Sequence, residues 1–185
     1  MELKDYIKIY DNVMPLPTLS QLIRFVNTID FFEGRIGKNN EVNLEIRNTY
    51  VKEISNMHED LAIVHWNNFL YRLMRNYIAD YNKPYPESYN PSINAIQILK
   101  YNPGGFYKWH TDHFYDRPRT LSCILLLNND YEGGNLCFKK PESNEENIIE
   151  TKPNRLIIWP SNFLYPHTVK PITKGIRYSI VSWAL

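Results

Sequence analysis

Only two cysteines, Cys123 and Cys137, occur in the 185 residues. Two thiols cannot staple a disulfide framework. The opening segment Met1-Glu2-Leu3-Lys4-Asp5-Tyr6 has no apolar signal core. Reduced thiols and a cytoplasmic location are therefore expected. An excess of one charge is also missing: 21 Lys and Arg stand against 20 Asp and Glu, for a net charge of +1. That balance argues against a polybasic nucleic-acid module and against an acidic disordered chain. No apolar run approaches the roughly 18 residues that span a membrane, so no membrane partner is expected. Alanine is scarce, confined to Ala62, Ala79, Ala95 and Ala184. What remains is 43% apolar, enough for a sizeable core, and the length suits a single domain over residues 1–185.

The patterning changes once, near residue 90. Before it, two stretches have helical period. Leu19, Leu22, Ile23, Val26 and Ile29 share one face behind a first-turn Pro17. Leu61, Val64, Phe69, Leu70, Leu73, Tyr77 and Ile78 repeat at three- and four-residue steps, with Glu59 and Asp60 at the start. Val42–Ile54 alternates loosely and reads as strand, and Tyr6–Tyr10 as a short one. Pro84, Pro86 and Pro91 mark 82–91 as a loop. After residue 90 come short strands separated by turns: Ile93–Tyr101, Tyr107–His113, Leu121–Leu127, Asn135–Phe138, Arg155–Trp159, His167–Val169 and Arg177–Trp183. Residues 139–147 read as a polar hairpin excursion. The layout is α+β, with a jelly-roll-like barrel over 91–185 and a helical support region, 1–90, packed on one of its sheets.

Five histidines are present, and an isolated histidine is more often structural than a ligand. His58 and His65 stay on that ordinary reading. His110-Thr111-Asp112 differs: on a strand, positions i and i+2 face the same way, so imidazole and carboxylate aim at one point. His113, at the opposite parity, is expected not to take part. A histidine from a neighbouring strand would complete two imidazoles and one carboxylate. That set leaves open positions and suits non-haem Fe(II). His167, opening a late strand, is the natural third ligand. Ten residues on, period two puts Arg177, Ser179, Val181 and Trp183 on one face. If that face lines the barrel, the buried guanidinium needs an anionic partner, and its planar fork matches a carboxylate.

Several motifs occur together and in order. They are Tyr101-Asn102-Pro103-Gly104-Gly105-Phe106-Tyr107-Lys108-Trp109-His110-Thr111-Asp112; Arg119-Thr120-Leu121-Ser122; Leu126-Leu127-Asn128; Tyr131-Glu132-Gly133-Gly134-Asn135-Leu136; Leu156-Ile157-Ile158-Trp159-Pro160-Ser161; and His167-Thr168-Val169, Pro171-Ile172, Gly175 and Arg177-Tyr178-Ser179. From Ile93 to Trp183 the chain resembles the Fe(II)/2-oxoglutarate-dependent dioxygenases, in particular the prolyl 4-hydroxylase-like family. The resemblance implies a double-stranded β-helix (jelly-roll, cupin-like) with His110, Asp112 and His167 holding Fe(II). It implies that Arg177 binds the C5 carboxylate of 2-oxoglutarate, with Tyr101 and Ser179 adding hydroxyls. It implies substrate contacts by Trp183 and Arg119. Fe(II), 2-oxoglutarate and O2 are the implied cofactors, with ascorbate as an auxiliary reductant.

The implied reaction hydroxylates an unactivated C–H bond, with release of succinate and CO2. The leading substrate is a prolyl residue in a protein or peptide, and a free amino acid or other small molecule is the alternative. Relatives that demethylate nucleobases usually carry a second Arg six residues after the first; Trp183 stands there, and no nucleic-acid partner is expected. A non-catalytic cupin-like metal-binding module is the remaining alternative. Phe106, Tyr107, Trp109, Phe114, Tyr115 and Trp159 are expected to shield the site. Two departures stand out. Leu126 replaces a tyrosine that faces the cosubstrate in some relatives, and Asn154 replaces a frequent turn glycine at a place where Asn tolerates left-handed backbone.

Overall fold

The computed structural model describes residues 2–37, 41–85, 87, 92–116, 118–140 and 145–185. After a short 3-10 turn (Leu3–Tyr6) come β1 (Lys8–Asp11), α1 (Leu16–Val26), β2 (Phe32–Glu33), β3 (Arg35–Ile36), β4 (Glu41–Val42), β5 (Arg47–Asn48), β6 (Tyr50–Ile54) and α2 (Leu61–Asn82). The second half holds β7 (Ile93–Tyr101), β8 (Phe106–His110), β9 (Leu121–Leu126), β10 (Glu132–Gly133), β11 (Leu136–Lys139) and β12 (Glu146–Ile149). It ends with β13 (Arg155–Pro160), β14 (His167–Val169), β15 (Ile172–Lys174) and β16 (Arg177–Ala184). A seven-stranded sheet runs β1-β13-β9-β16-β7-β6-β2, and a five-stranded sheet runs β12-β11-β14-β8-β5.

Alternation along the central strands sorts the core into layers. Leu125, Leu156, Ile158, Tyr178 and Ile180 face the helices and pack with Leu22, Leu70, Met74 and Ile78. Their neighbours Ile124, Leu126, Ile157 and Trp159 face the other way and meet Leu136 and Phe138 of the five-stranded sheet. The helices thus cover the outer face of one sheet, as the sequence pattern implied. Both faces of β9 are covered, which is why it is apolar throughout rather than alternating. On α2, Ile63, Trp66, Leu70, Met74 and Ile78 form the buried stripe, and the Asp60 carboxylate caps its start by accepting from Ala62 N–H at 2.8 Å. Among the described residues, no helix is long and apolar enough to cross a membrane.

Residues before 90 supply edge strands to both sheets as well as helices. β1 adds to β13, and Asp11 pairs there with Arg155, Nε to Oδ1 at 2.7 Å. Val42–Ile54 is not one strand. It turns at Asn43, whose carbonyl accepts from Arg47 N–H at 2.9 Å; it then adds β5 to the five-stranded sheet and crosses at Thr49 to the seven-stranded one as β6. The α1 helix ends at Val26, so Ile29 lies beyond it, though it packs on the same core. The expected excursion after Lys139 is the β11–β12 hairpin, with 141–144 outside the described residues. Most of the proline-marked loop (86, 88–91) also lies outside them. Asn154 does adopt left-handed backbone, φ 62°. Its amide also bonds Met14, accepting from N–H at 3.1 Å and donating to the carbonyl at 2.6 Å, which a glycine there would not do.

Candidate active site

Between the sheets lies a cavity of about 140 Å³. His110, at the end of β8, and His167, at the start of β14, are directly paired across the ladder. Each ring is held alike: His110 Nδ1 lies 2.7 Å from the carbonyl of Lys108, and His167 Nδ1 lies 3.1 Å from that of Tyr165. Nδ1–H therefore donates, and Nε2 is left bare and pointed inward. The two Nε2 atoms approach the Asp112 carboxylate at 3.8 Å and 3.5 Å. All three ligand atoms lie within 4.8 Å of one another.

Asp112 reaches this point differently from the strand-parity expectation. β8 stops at His110 because its partner β14 begins at His167, and Asp112 lies in the bend that follows. Ser122 fixes it instead, its hydroxyl donating to Oδ2 at 2.7 Å, while Ser122 and Ser161 share a hydrogen bond of 2.8 Å. Burial alone would raise the Asp112 carboxyl. The two imidazoles, the Ser122 hydroxyl and Arg119 outweigh it and hold the carboxyl below its ordinary range. Burial, with His167 beside it, pulls His110 well below the usual imidazole value, so the ring is neutral. Two imidazoles and one carboxylate form the donor set that suits Fe(II) with open positions. His113 is exposed and bonds the Arg119 carbonyl at 2.9 Å, away from the cluster. His58 and His65, exposed at and near the start of α2, are also outside it.

Arg177 is completely buried. β16 follows period two: Tyr178, Ile180 and Ala184 face the helices, while Arg177, Ser179, Val181 and Trp183 face between the sheets. Arg177 Nη1 donates to Ser179 Oγ at 2.8 Å, and its Cζ lies 5.1 Å from the centre of the Tyr101 ring. Nε and Nη2 are buried with no partner, and among the described residues no Asp or Glu pairs with it. Such an arrangement is costly without an anion to receive the fork. The orphaned N–H groups therefore fit the carboxylate of 2-oxoglutarate. Gly134 (φ 66°) lets the arginine stem pack here: a Cβ there would come 3.1 Å from Arg177 Cδ and 2.1 Å from Ile172 Cδ1.

Other expected residues fall at the same cavity. Trp183 lines it, and Arg119 lies over the Trp183 ring, Cζ 3.6 Å from its centre. Tyr107, Phe114 and Trp159 also line it, but Trp109 and Tyr115 are exposed and Phe106 is not part of the wall. Leu126, opposite Ser179, is sealed into the apolar layer. Two further residues stand at the site without having been singled out by the sequence reasoning. The Tyr131 hydroxyl is buried without a partner, and its ring and Arg177 Cδ both lie within 3.2 Å of the Cβ position at Gly134. The signal for Tyr131 is its place beside the Gly-Gly turn. Arg47, 8% exposed, lines the cavity near His110, and nothing local in the sequence distinguishes it.

Residues 96–185 match the model of the 2OG-Fe(II) oxygenase superfamily. A PKHD-type hydroxylase of Synechococcus sp. (strain CC9902) is 35% identical over 95 residues, covering 49% of this chain and 41% of that protein. Human prolyl 3-hydroxylase 2 is 35% identical over 66 residues, 35% of this chain and 9% of that protein. The chain thus spans about two fifths of the length of the PKHD-type relatives it matches. Among solved structures, a Trichoplax adhaerens prolyl hydroxylase in complex with a hypoxia inducible factor peptide fragment superposes with TM-score 0.78 at 20% identity, covering 97% of this chain and 83% of that one. A Pseudomonas putida prolyl-4-hydroxylase gives 0.70 at 20% identity, covering 97% and 92%. These likenesses extend the double-stranded β-helix fold to the whole chain, the region before 90 included. Residues 96–185 are thus similar to the 2OG-Fe(II) oxygenase superfamily, and the two-histidine, one-carboxylate cluster and the buried Arg177 both lie within that segment.

Proposed function

We propose that the chain hydroxylates a prolyl residue in a protein or peptide, consuming 2-oxoglutarate and O2 and releasing succinate and CO2. The observation that carries this reading is a single cavity with His110, Asp112 and His167 in its wall and the unsatisfied Arg177 fork beside it. His110, Asp112 and His167 would hold Fe(II), which, with 2-oxoglutarate bound, supplies the oxidising chemistry. Ser122 keeps Asp112 ionised and oriented. The Lys108 and Tyr165 carbonyls fix the Nδ1–H tautomer and so turn both Nε2 atoms toward the metal position. Arg177 receives the C5 carboxylate through Nε and Nη2, and Ser179 fixes the guanidinium for that contact.

Tyr131 supplies a phenol hydroxyl to the same carboxylate, in place of the tyrosine that Leu126 replaces. Tyr101 packs against the guanidinium and closes the water-free end. Trp183, with the Arg119 guanidinium stacked on one face of its ring, lines the cavity that would receive the substrate ring. The sealed wall of Tyr101, Trp159, Leu136 and Val181 excludes water from the reacting centre. The test is incubation of a proline-containing peptide library with the full chain, Fe(II), ascorbate and 2-oxoglutarate. A gain of about 16 Da on a prolyl residue, one oxygen atom, with matching succinate is expected. Succinate release without any modified peptide would overturn the peptidyl-proline reading.

A further inference from the structure

We propose that Arg47 receives a carboxylate of the substrate, so that the enzyme acts on molecules with an anionic group beside the oxidised carbon. This deepens the dioxygenase reading and rests on it. Arg47 lies on β5, at the edge of the five-stranded sheet and outside the segment matched by the family, directly opposite Tyr107. Its Cζ lies 4.9 Å from the centre of the Tyr107 ring, and that ring stacks on His110 at 3.5 Å. The cation therefore sits one aromatic ring away from a metal ligand. Yet it is 8% exposed, its guanidinium donates from Nη1 to the Arg35 carbonyl at 3.0 Å, and Nε has no partner. Among the described residues no carboxylate pairs with it.

A charge buried this far is costly unless a counter-charge arrives. Gly34 lets the neighbouring strand pack closely here, since a Cβ would stand 3.0 Å from Arg47 Nε and 2.8 Å from Thr49 Cγ2, so the guanidinium meets a ligand from its cavity side. The cosubstrate is already served, because Arg177 lies on β16 of the opposite sheet. Of the guanidinium groups in the cavity wall, Arg119 lies within 3.9 Å of Asp112, the one carboxylate among the described lining residues, and that carboxylate belongs to the candidate metal cluster. A half-satisfied guanidinium fork at the cavity edge selects a carboxylate. Two sources carry that group: an acidic side chain in a peptide, or the α-carboxylate of a free or terminal proline.

The test uses the full chain loaded with Mn(II) and 2-oxoglutarate, which binds without turnover, and matched probes read by calorimetry. One pair is acetyl-proline against its amide; the other is blocked Pro-Asp against blocked Pro-Asn. At least one acid is expected to bind about tenfold or more tightly than its neutral partner, in keeping with hydrogen bonds to charged groups. Which pair shows the preference identifies the source. Arg47→Gln is expected to bring the ratio near one, and Arg47→Lys, which keeps the charge without the fork, to lower it severalfold. No preference in the wild type, or a ratio unchanged in both variants, overturns the proposal. So does a tenfold loss of 2-oxoglutarate affinity in Arg47→Gln, which would assign the arginine to the cosubstrate. Failure of the wild type to bind 2-oxoglutarate at all would instead sink the dioxygenase reading beneath it.

Discussion

His110 and His167 spend their Nδ1 protons on backbone carbonyls two residues upstream, and this makes the site competent before any metal enters. The ligands act in binding far more than in packing, since they sit at a cavity wall. Replacing His110 or Asp112 by Ala is expected to abolish succinate release while circular dichroism and thermal unfolding remain close to wild type. A variant that released succinate at the original rate would show that iron is held elsewhere. Tyr131→Phe removes one buried hydroxyl and no ring. It is expected to weaken 2-oxoglutarate binding by about 1 kcal/mol, the net worth of one hydrogen bond, as read by anaerobic titration; unchanged affinity would remove Tyr131 from the carboxylate site. The candidate cluster is legible in the sequence because His110-x-Asp112 and His167 stand at the spacing of the family the chain resembles. Arg47 is not, because its meaning comes from pairing with Tyr107, 60 positions away in the chain. Among 21 basic residues no local feature marks it.

At the scale of elements, β16 is the most readable strand and β5 the least. The two faces of β16 meet different surroundings, so period two alone separates Arg177 and Ser179 from Tyr178 and Ile180. β5 is two residues long and followed at once by a crossing to the other sheet, so Val42–Ile54 reads as one loose strand. Asp112 is a subtler case, the right residue on the wrong geometric ground. The bend after β8, rather than strand parity, presents its carboxylate, and Ser122 holds it there. Asn154 joins elements that the sequence treats as unrelated, since its amide grips Met14 ahead of α1. Asn154→Gly keeps the left-handed backbone and loses both bonds. The expected cost is about 1–3 kcal/mol, measured by denaturant unfolding; no loss would mean that the N-terminal segment is anchored by its packing alone.

Over the whole molecule, the buried site makes the metal-free protein sensitive to acid. His110 in the folded state titrates well below 6.5, because burial and His167 disfavour its charge. An unfolded chain takes up this proton as the pH falls through about 6.5, and the folded chain does not. Stability must therefore decline on acidification below that point, and Asp112, held below the ordinary carboxylate range, adds to the loss as the pH falls through about 4. Urea midpoints at pH 7 and pH 5 are expected to separate for the metal-free wild type and to separate less for His110→Gln; equal shifts would place the acid sensitivity elsewhere. The two sheets together enclose Arg177, whose fork lacks an anion, and the cluster of His110, Asp112 and His167, and the proposed function rests on the two together. It is tested most directly by titrating 2-oxoglutarate anaerobically into the Fe(II)-loaded chain, wild type against Arg177→Lys. Saturable binding by the wild type is expected, with a loss of about 1–3 kcal/mol in the variant, which keeps the charge but not the fork. Equal affinities, or no binding by the wild type, would contradict it.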